Sequence, residues 1–164
     1  MLPVLSRDLD EAVRRCMAGA AARGRERPTL QDLLLALSES EEGGALLDAC
    51  AVDRARLRAG LAECLDADPM ASASMTEVPL PTDVARAVQS APMDAVTRVL
   101  QRAAVHCRSA GRTIVHGENV IVALFTERRC DAVALLEAQG MTRLDAIQFI
   151  AWGTRKAGPA KTAT

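Results

Sequence analysis

The feature that most constrains this chain is a pattern of apolar residues that occurs twice. Residues 9–37 read "LDEAVRRCMAGAAARGRERPTLQDLLLAL", and residues 96–124 read "VTRVLQRAAVHCRSAGRTIVHGENVIVAL". The two stretches align without a gap and place Gly24 on Gly111. The coincident apolar positions are Leu9 and Val96, Val13 and Leu100, Leu33 and Val120, and Leu37 and Leu124.

The match continues beyond these stretches. After a two-residue insertion, "ALLDACAVD" at 45–53 aligns with "ALLEAQGMT" at 134–142. Chance similarity is common in an alanine-rich chain, so alanine matches carry little weight. The shared glycine, the Leu and Val positions and the common order of elements therefore indicate an internal duplication.

Helical spacing of apolar residues predicts four short helices in each copy. In the first copy the helices are expected at 7–23, after the N-cap Thr29, at 45–50 after an "EEGG" break, and after the N-cap Asp53. In the second copy they are expected at 93–110, from His116 or Gly117, at 131–139, and after the N-cap Thr142. The buried face of the first helix is predicted to include Leu9, Val13, Cys16, Met17 and Ala20.

The predicted fold class is all-α, because no segment shows enough period-two alternation to indicate a strand. Each four-helix repeat is short and cannot bury its own apolar face well. We therefore expect the two repeats to pack on each other about a pseudo-twofold axis and to form one domain.

The domain boundaries follow from shifts in composition. The first repeat is assigned to residues 1–65 and the second to 92–152. Residues 66–91 contain three prolines and many small polar residues, which is typical of a mobile linker. Residues 153–164 are predicted to be a basic, flexible tail.

Composition excludes several classes of protein. Twenty basic residues balance 21 acidic ones, so no strong field favours nucleic acid. No apolar run reaches the roughly 18–20 residues that a membrane span needs. Five cysteines without a CxxC pair indicate reduced, buried thiols and a cytoplasmic protein: Cys16, Cys50, Cys64, Cys107 and Cys130.

Motifs for catalysis and cofactor binding are missing from the sequence. It contains no GxxxxGK[ST], GxSxG, HExxH or GxGxxG pattern. His106 and His116 are the only histidines, and His106 cannot share one face of a helix with the adjacent Cys107 to bind a metal ion. We therefore expect no enzymatic activity, cofactor or metal.

The second copy resembles a known family. The segments "RVLQRAAVHCRSAGR", "VHGENVIVALF" and "TRLDAIQFIAWGTRK" resemble the second repeat in the N-terminal domains of the AAA+ unfoldases of the Clp protease. The segments "TLQDLLLAL" and "ALLDACAVDRARLRAGL" resemble the first repeat. The likeness covers roughly 6–65 and 92–156, and it implies the same eight-helix fold.

The resemblance implies a docking module rather than an enzyme. In this family the domain is tethered to ATPase rings, binds the adaptor ClpS and contacts protein substrates. The family's adaptor face implies a partner-binding set of Glu26, Gln31, Arg98, Arg102 and Arg143. The chain departs from the family at Gln31 and Asp32, where Glu and His are common, at Arg25, and at Trp152.

Other functions remain as alternatives. The chain is either part of a longer unfoldase or a free-standing protein that recruits or competes for adaptors and substrates. A helical nucleic-acid-binding protein using the arginines of 98–112 would show steep salt dependence, although aromatic stacking residues are scarce. A thiol or metal enzyme using Cys107 and His106 would retain a metal on purification.

Overall fold

The computed structural model describes residues 4–67, 95–127 and 130–155, and these ranges are almost entirely helical. The eight helices of the described ranges are α1 Arg7–Ala22, α2 Leu30–Glu39, α3 Glu41–Ala49, α4 Arg54–Ala67, α5 Ala95–Ser109, α6 Gly117–Leu124, α7 Asp131–Ala138 and α8 Arg143–Trp152. The predicted all-α class, with two sets of four helices in one domain, is confirmed.

The predicted boundaries between the repeats are only partly covered by the structure. Helix α4 extends to Ala67, so the first two residues assigned to the linker are helical. Residues 68–91 of the predicted linker lie outside the described residues, as do 156–164 of the predicted tail. The expected mobility of both segments therefore stays a prediction.

The two repeats adopt the same unusual backbone conformations at matching positions. Gly24 and Gly111 end the turns after α1 and α5 with φ of 72° and 71°. Ala51 and Gly140 follow α3 and α7 with φ of 61° and 82°. This left-handed region favours glycine, so its recurrence at matched positions supports the duplication inferred from the sequence.

The repeats pack on each other in a reciprocal way. Helix α3 of the first repeat contacts α6 and α8 of the second, and α7 of the second repeat contacts α2 and α4 of the first. Helices α2 and α6 also contact each other. One continuous core results, and its large, fully buried side chains come from both repeats: Leu9, Leu33, Leu34, Leu37, Leu46, Leu47, Leu57, Leu61, Ile121, Leu124, Leu136 and Met141.

A short strand pair corrects the expectation that the chain contains no strand. Strand β1 (Val4–Leu5) pairs in parallel with β2 (Ile114–Val115), and this pair links the start of the first repeat to the second. Two residues per strand are too few to produce a period-two signal. Met17 was also predicted to be buried, but it is 53% exposed, because the core-facing stripe of α1 is Leu9, Ala12, Cys16 and Ala20.

Helix α3 begins four residues earlier than predicted, because the "EEGG" segment is helical rather than a break. The hydroxyl of Ser40 caps the helix by accepting a hydrogen bond from the Gly43 N–H at 3.1 Å. A Cβ at Gly43 would overlap the Leu37 carbonyl oxygen, and one at Gly44 would lie 2.5 Å from Arg54 Nη1. Gly43 is therefore required by close packing against backbone atoms and not by a turn, whereas the Arg54 side chain near Gly44 can move aside.

The carboxylate of Glu42 joins the two repeats. Its Oε2 accepts hydrogen bonds from the Ser6 hydroxyl at 2.8 Å and from the Gly117 N–H at 2.7 Å, while Oε1 lies 2.8 Å from His116 Nδ1. The N–H of Glu42 in turn donates to Asp8 at 2.9 Å. A side chain of the first repeat therefore caps the N-terminus of α6 in the second. His116 is the N-cap of α6 and Gly117 its first residue, in agreement with the predicted start at His116 or Gly117.

We predict that Gly43→Ala destabilises the protein by about 3 kcal/mol, because the new methyl group overlaps backbone atoms that cannot easily move. Gly19→Ala is the matched control, since a Cβ there would meet only Arg23 Nη1, at 3.6 Å. That control should stabilise the protein by about 0.5–1 kcal/mol. Urea unfolding monitored by circular dichroism measures both, and equal effects would contradict the packing argument.

Candidate functional site

Two arginines on α5 share one carboxylate. Arg98 and Arg102 are one turn apart and lie on the same face of the helix. Arg98 donates from Nε to Glu127 Oε1 at 3.0 Å and from Nη2 to Oε2 at 2.8 Å. Arg102 donates from Nη1 to Glu127 Oε1 at 2.9 Å and to the Thr126 hydroxyl. The two arginines and Glu127 are called the Glu127 cluster below.

Burial differs within the Glu127 cluster. The Glu127 side chain is only 10% exposed, whereas those of Arg98 and Arg102 are 45% and 33% exposed. Hydrogen bonds from Arg98 and then Arg102 lower the pKa of Glu127 and outweigh the opposing effect of burial. The carboxylate is therefore held ionised beneath two guanidinium groups that still face solvent.

The structure adds one feature that the sequence did not indicate. Both arginines, assigned above to the partner-binding set, also hold Glu127. Sequence reasoning missed Glu127 because it lies far from α5 along the chain. Its position immediately after α6, the helix that packs against α5, is the only signal that could have indicated it.

Gln31 lies at the start of α2 and reaches the other repeat. Its Nε2 is 3.5 Å from Oδ2 of Asp131, in the first turn of α7. Asp131 follows Glu127 by four positions in the sequence. Gln31 therefore contacts the first turn of α7, whereas Arg98 and Arg102 contact Glu127 after α6.

The other two members of the predicted partner-binding set stand on different elements. Glu26 is exposed in the turn between α1 and α2, and Arg143 is the exposed first residue of α8. Neither contributes to the contacts of Glu127 or Asp131 described above. The five residues are therefore spread over several elements, and the structure brings Arg98 and Arg102 together through their shared contact with Glu127.

The family departures at Arg25 and Asp32 form a structural pair. Asp32 completes the capping box of α2 with Thr29 and is buried. Arg25 holds both carboxylate oxygens of Asp32, at 2.8 Å and 3.2 Å. The negative charge of Asp32 is therefore neutralised inside the fold.

Thiol and metal chemistry receives little support from the described residues. Burial raises the pKa of the Cys107, Cys64 and Cys130 thiols, which opposes formation of a reactive thiolate. Within residues 4–67, 95–127 and 130–155, no group of three or more His, Cys, Asp or Glu side chains is arranged to hold a metal ion.

Comparison with known proteins gives the family. Residues 4–139 match the model of the Clp repeat (R) N-terminal domain. The chain belongs to this family. It is also 40% identical over 155 residues to a ClpA homolog protein of Fuscovulum blasticum.

The extent of these matches differs. The alignment with the Fuscovulum blasticum protein covers 94% of this chain but only 18% of that relative, so most of the relative has no counterpart here. The match to the family model ends before α8, which carries Arg143. In the part of the chain that the structure describes, no helix has the length and apolar character needed to cross a membrane.

We predict that Glu127→Gln lowers stability by about 1 kcal/mol at pH 7, because the charged hydrogen bonds are lost. The folded-state pKa of Glu127 lies below its ordinary value of 4.5, so the stabilisation is present above that pH. It is lost as the pH falls through the folded-state pKa. Thermal unfolding from pH 7 to pH 3 should show the wild type and the variant converging in acid.

Glu118→Gln is the matched control, because burial raises the pKa of Glu118. Its ionised form is penalised in the folded state, so this substitution should raise stability at pH 7. The gain should vanish as the pH falls below the ordinary value of 4.5. Shifts of the same sign in both variants would contradict the assigned environments.

Proposed function

We propose that this protein is a non-catalytic docking module of the Clp system. It recruits an adaptor of the ClpS type, protein substrates, or both, for unfolding by Clp ATPase rings and degradation by the associated protease. Its membership of the Clp repeat N-terminal domain family supports this proposal, as does its similarity to the ClpA homolog protein.

The Glu127 cluster is the observation that carries the proposal. Arg98 and Arg102 are held side by side on one helix, partly exposed, so they present two guanidinium groups to a partner at little entropic cost. Gln31 and Asp131 form a separate exposed polar contact between the two repeats. Such a surface fits a partner with complementary acidic and polar side chains.

A second possibility differs only in the protein's context. As a free-standing protein, the same module would compete with the N-terminal domains of Clp unfoldases for adaptors or substrates. The five cysteines form no disulfide among the described residues, which fits a role in the cytoplasm in either case. Nucleic-acid binding is less favoured, since acidic Glu127 partly neutralises the arginine pair.

We predict that the double substitution Arg98→Glu with Arg102→Glu weakens binding of the ClpS adaptor from the same organism about tenfold. Most of the loss should appear in the association rate, because partly exposed charges mainly steer encounter. Biolayer interferometry at two salt concentrations measures the affinity and both rates.

Two controls separate docking from folding. Glu127→Gln removes the charge from the same internal contacts but keeps both arginines, so any loss of stability that it shares with the double variant can be subtracted. Arg14→Glu reverses a charge on α1, where the side chain is 78% exposed. Binding that survives the double reversal, or that falls equally with Arg14→Glu, excludes the Glu127 cluster as the docking site.

A further inference from the structure

The two arginines of the Glu127 cluster use different edges of their guanidinium groups. Arg98 presents its Nε–Nη2 edge to Glu127, with Nε 3.0 Å from Oε1 and Nη2 2.8 Å from Oε2. This edge carries two parallel N–H groups, which match the spacing of the two oxygens of a carboxylate. Glu127 therefore occupies the side of Arg98 that binds a carboxylate best.

Arg102 contacts the residues after α6 only through its Nη1. That nitrogen donates to Glu127 Oε1 at 2.9 Å and to the Thr126 hydroxyl. A guanidinium group has five N–H donors, and the other three lie on Nε and Nη2. Among the described residues, Nε and Nη2 of Arg102 have no hydrogen-bond partner. Arg102 is therefore fixed at one nitrogen, while its own Nε–Nη2 edge stays open.

Solvent reaches the open edge of Arg102. The side chain is 33% exposed. Within the part of the chain that the structure describes, the one buried side-chain nitrogen or oxygen without a partner is Nε of Arg25, in the turn after α1. The unpartnered nitrogens of Arg102 are therefore not buried, and a group on a partner can approach them.

The charge of the cluster favours a single carboxylate as the ligand of this edge. Two guanidinium groups and Glu127 leave one positive charge, which one aspartate or glutamate side chain neutralises. A phosphate group carries about two negative charges at neutral pH and would place the excess beside Glu127. Arg98 keeps the positive charge on Arg102, because its hydrogen bonds are the largest cause that lowers the pKa of Glu127.

We propose that Arg102 binds an aspartate or glutamate carboxylate of the docked protein through its open Nε–Nη2 edge, and that Arg98 is a positioning residue. Arg98 neutralises Glu127 and so prevents that carboxylate from occupying the open edge of Arg102. This inference rests on the docking function proposed above. It gives the two arginines different roles, whereas the docking proposal treats them as equivalent.

Lysine substitutions test the edge, because they keep the charge and remove the paired N–H groups. Binding of the ClpS adaptor from the same organism is measured by biolayer interferometry. Arg102→Lys should weaken it about tenfold, since lysine cannot bind a carboxylate through two parallel N–H groups. Arg98→Lys should weaken it less than about threefold, since one charge still neutralises Glu127. Arg14→Lys, on the exposed face of α1, should leave binding unchanged. Equal losses at positions 98 and 102 would overturn the proposal.

A rescue experiment tests the positioning role of Arg98. Arg98→Gln leaves Glu127 free to take the open edge of Arg102, so ClpS binding should weaken about tenfold. Adding Glu127→Gln removes the competing carboxylate and should restore the affinity to within about threefold of wild type. The same second substitution should not rescue Arg102→Lys, which excludes a general gain in stability as the cause. Absence of rescue for Arg98→Gln would mean that Arg98 contacts the adaptor directly, and the proposal would be wrong.

A measurement without adaptor separates this inference from the docking proposal. Sodium acetate replaces chloride at constant ionic strength, and NMR of the ¹⁵N-labelled wild-type protein follows the Nε–H resonances of both arginines. The resonance of Arg102 should shift more than that of Arg98, because only Arg102 has its Nε–H on an open edge. Equal shifts, or a larger shift for Arg98, would overturn the inference even if ClpS binds. Absence of ClpS binding would overturn the docking proposal, and the acetate titration would then decide whether Arg102 offers a carboxylate site.

Discussion

The relative position of the two repeats depends on the hydrogen bonds that the carboxylate of Glu42 makes between them. It accepts the backbone N–H of Gly117 at the start of α6, and it holds the hydroxyl of Ser6 and the ring of His116. The N-termini of α1 and α6 therefore meet α3 at one partly buried charge. Loss of this carboxylate would leave polar groups of both repeats without partners, which costs more than the contacts themselves contribute. The reciprocal packing of α3 and α7 requires that the repeats keep this orientation.

Duplication has preserved the backbone while the surfaces have diverged. The position of Arg98 in the second repeat corresponds to Glu11 in the first, although Arg102 corresponds to Arg15. Arg15 lies 3.6 Å from Glu11 on its own helix, whereas Arg102 reaches across to the residues after α6. The same scaffold therefore carries a guanidinium cluster that joins two elements in the second repeat, and an ion pair within a single helix in the first.

Local signals made much of the fold predictable from the sequence. The N-caps Thr29 and Thr142 were predicted correctly, because capping depends on residues three positions apart. The predicted start of α3 was wrong, because a glycine pair in a sequence resembles a turn. The structure shows instead that Gly43 lies within the helix, where any side chain would overlap the Leu37 carbonyl oxygen of the neighbouring helix α2. Glu127, the partner of Arg98 and Arg102, was also missed, because this contact depends on how α5 and α6 pack and not on residues that are close in the sequence.

The Glu127 cluster also sets the charge and the geometry that the proposed docking site offers to a partner. Two guanidinium groups and one carboxylate leave a single positive charge, so attraction for an acidic partner is weaker than the arginines alone would give. Glu127 compensates by fixing both side chains in one arrangement, so less conformational entropy is lost when a partner binds. The buried carboxylate beneath the two arginines therefore weakens their attraction for an acidic partner but fixes the geometry of their guanidinium groups. Discrimination between partners then depends on where their acidic groups lie as well as on their total charge.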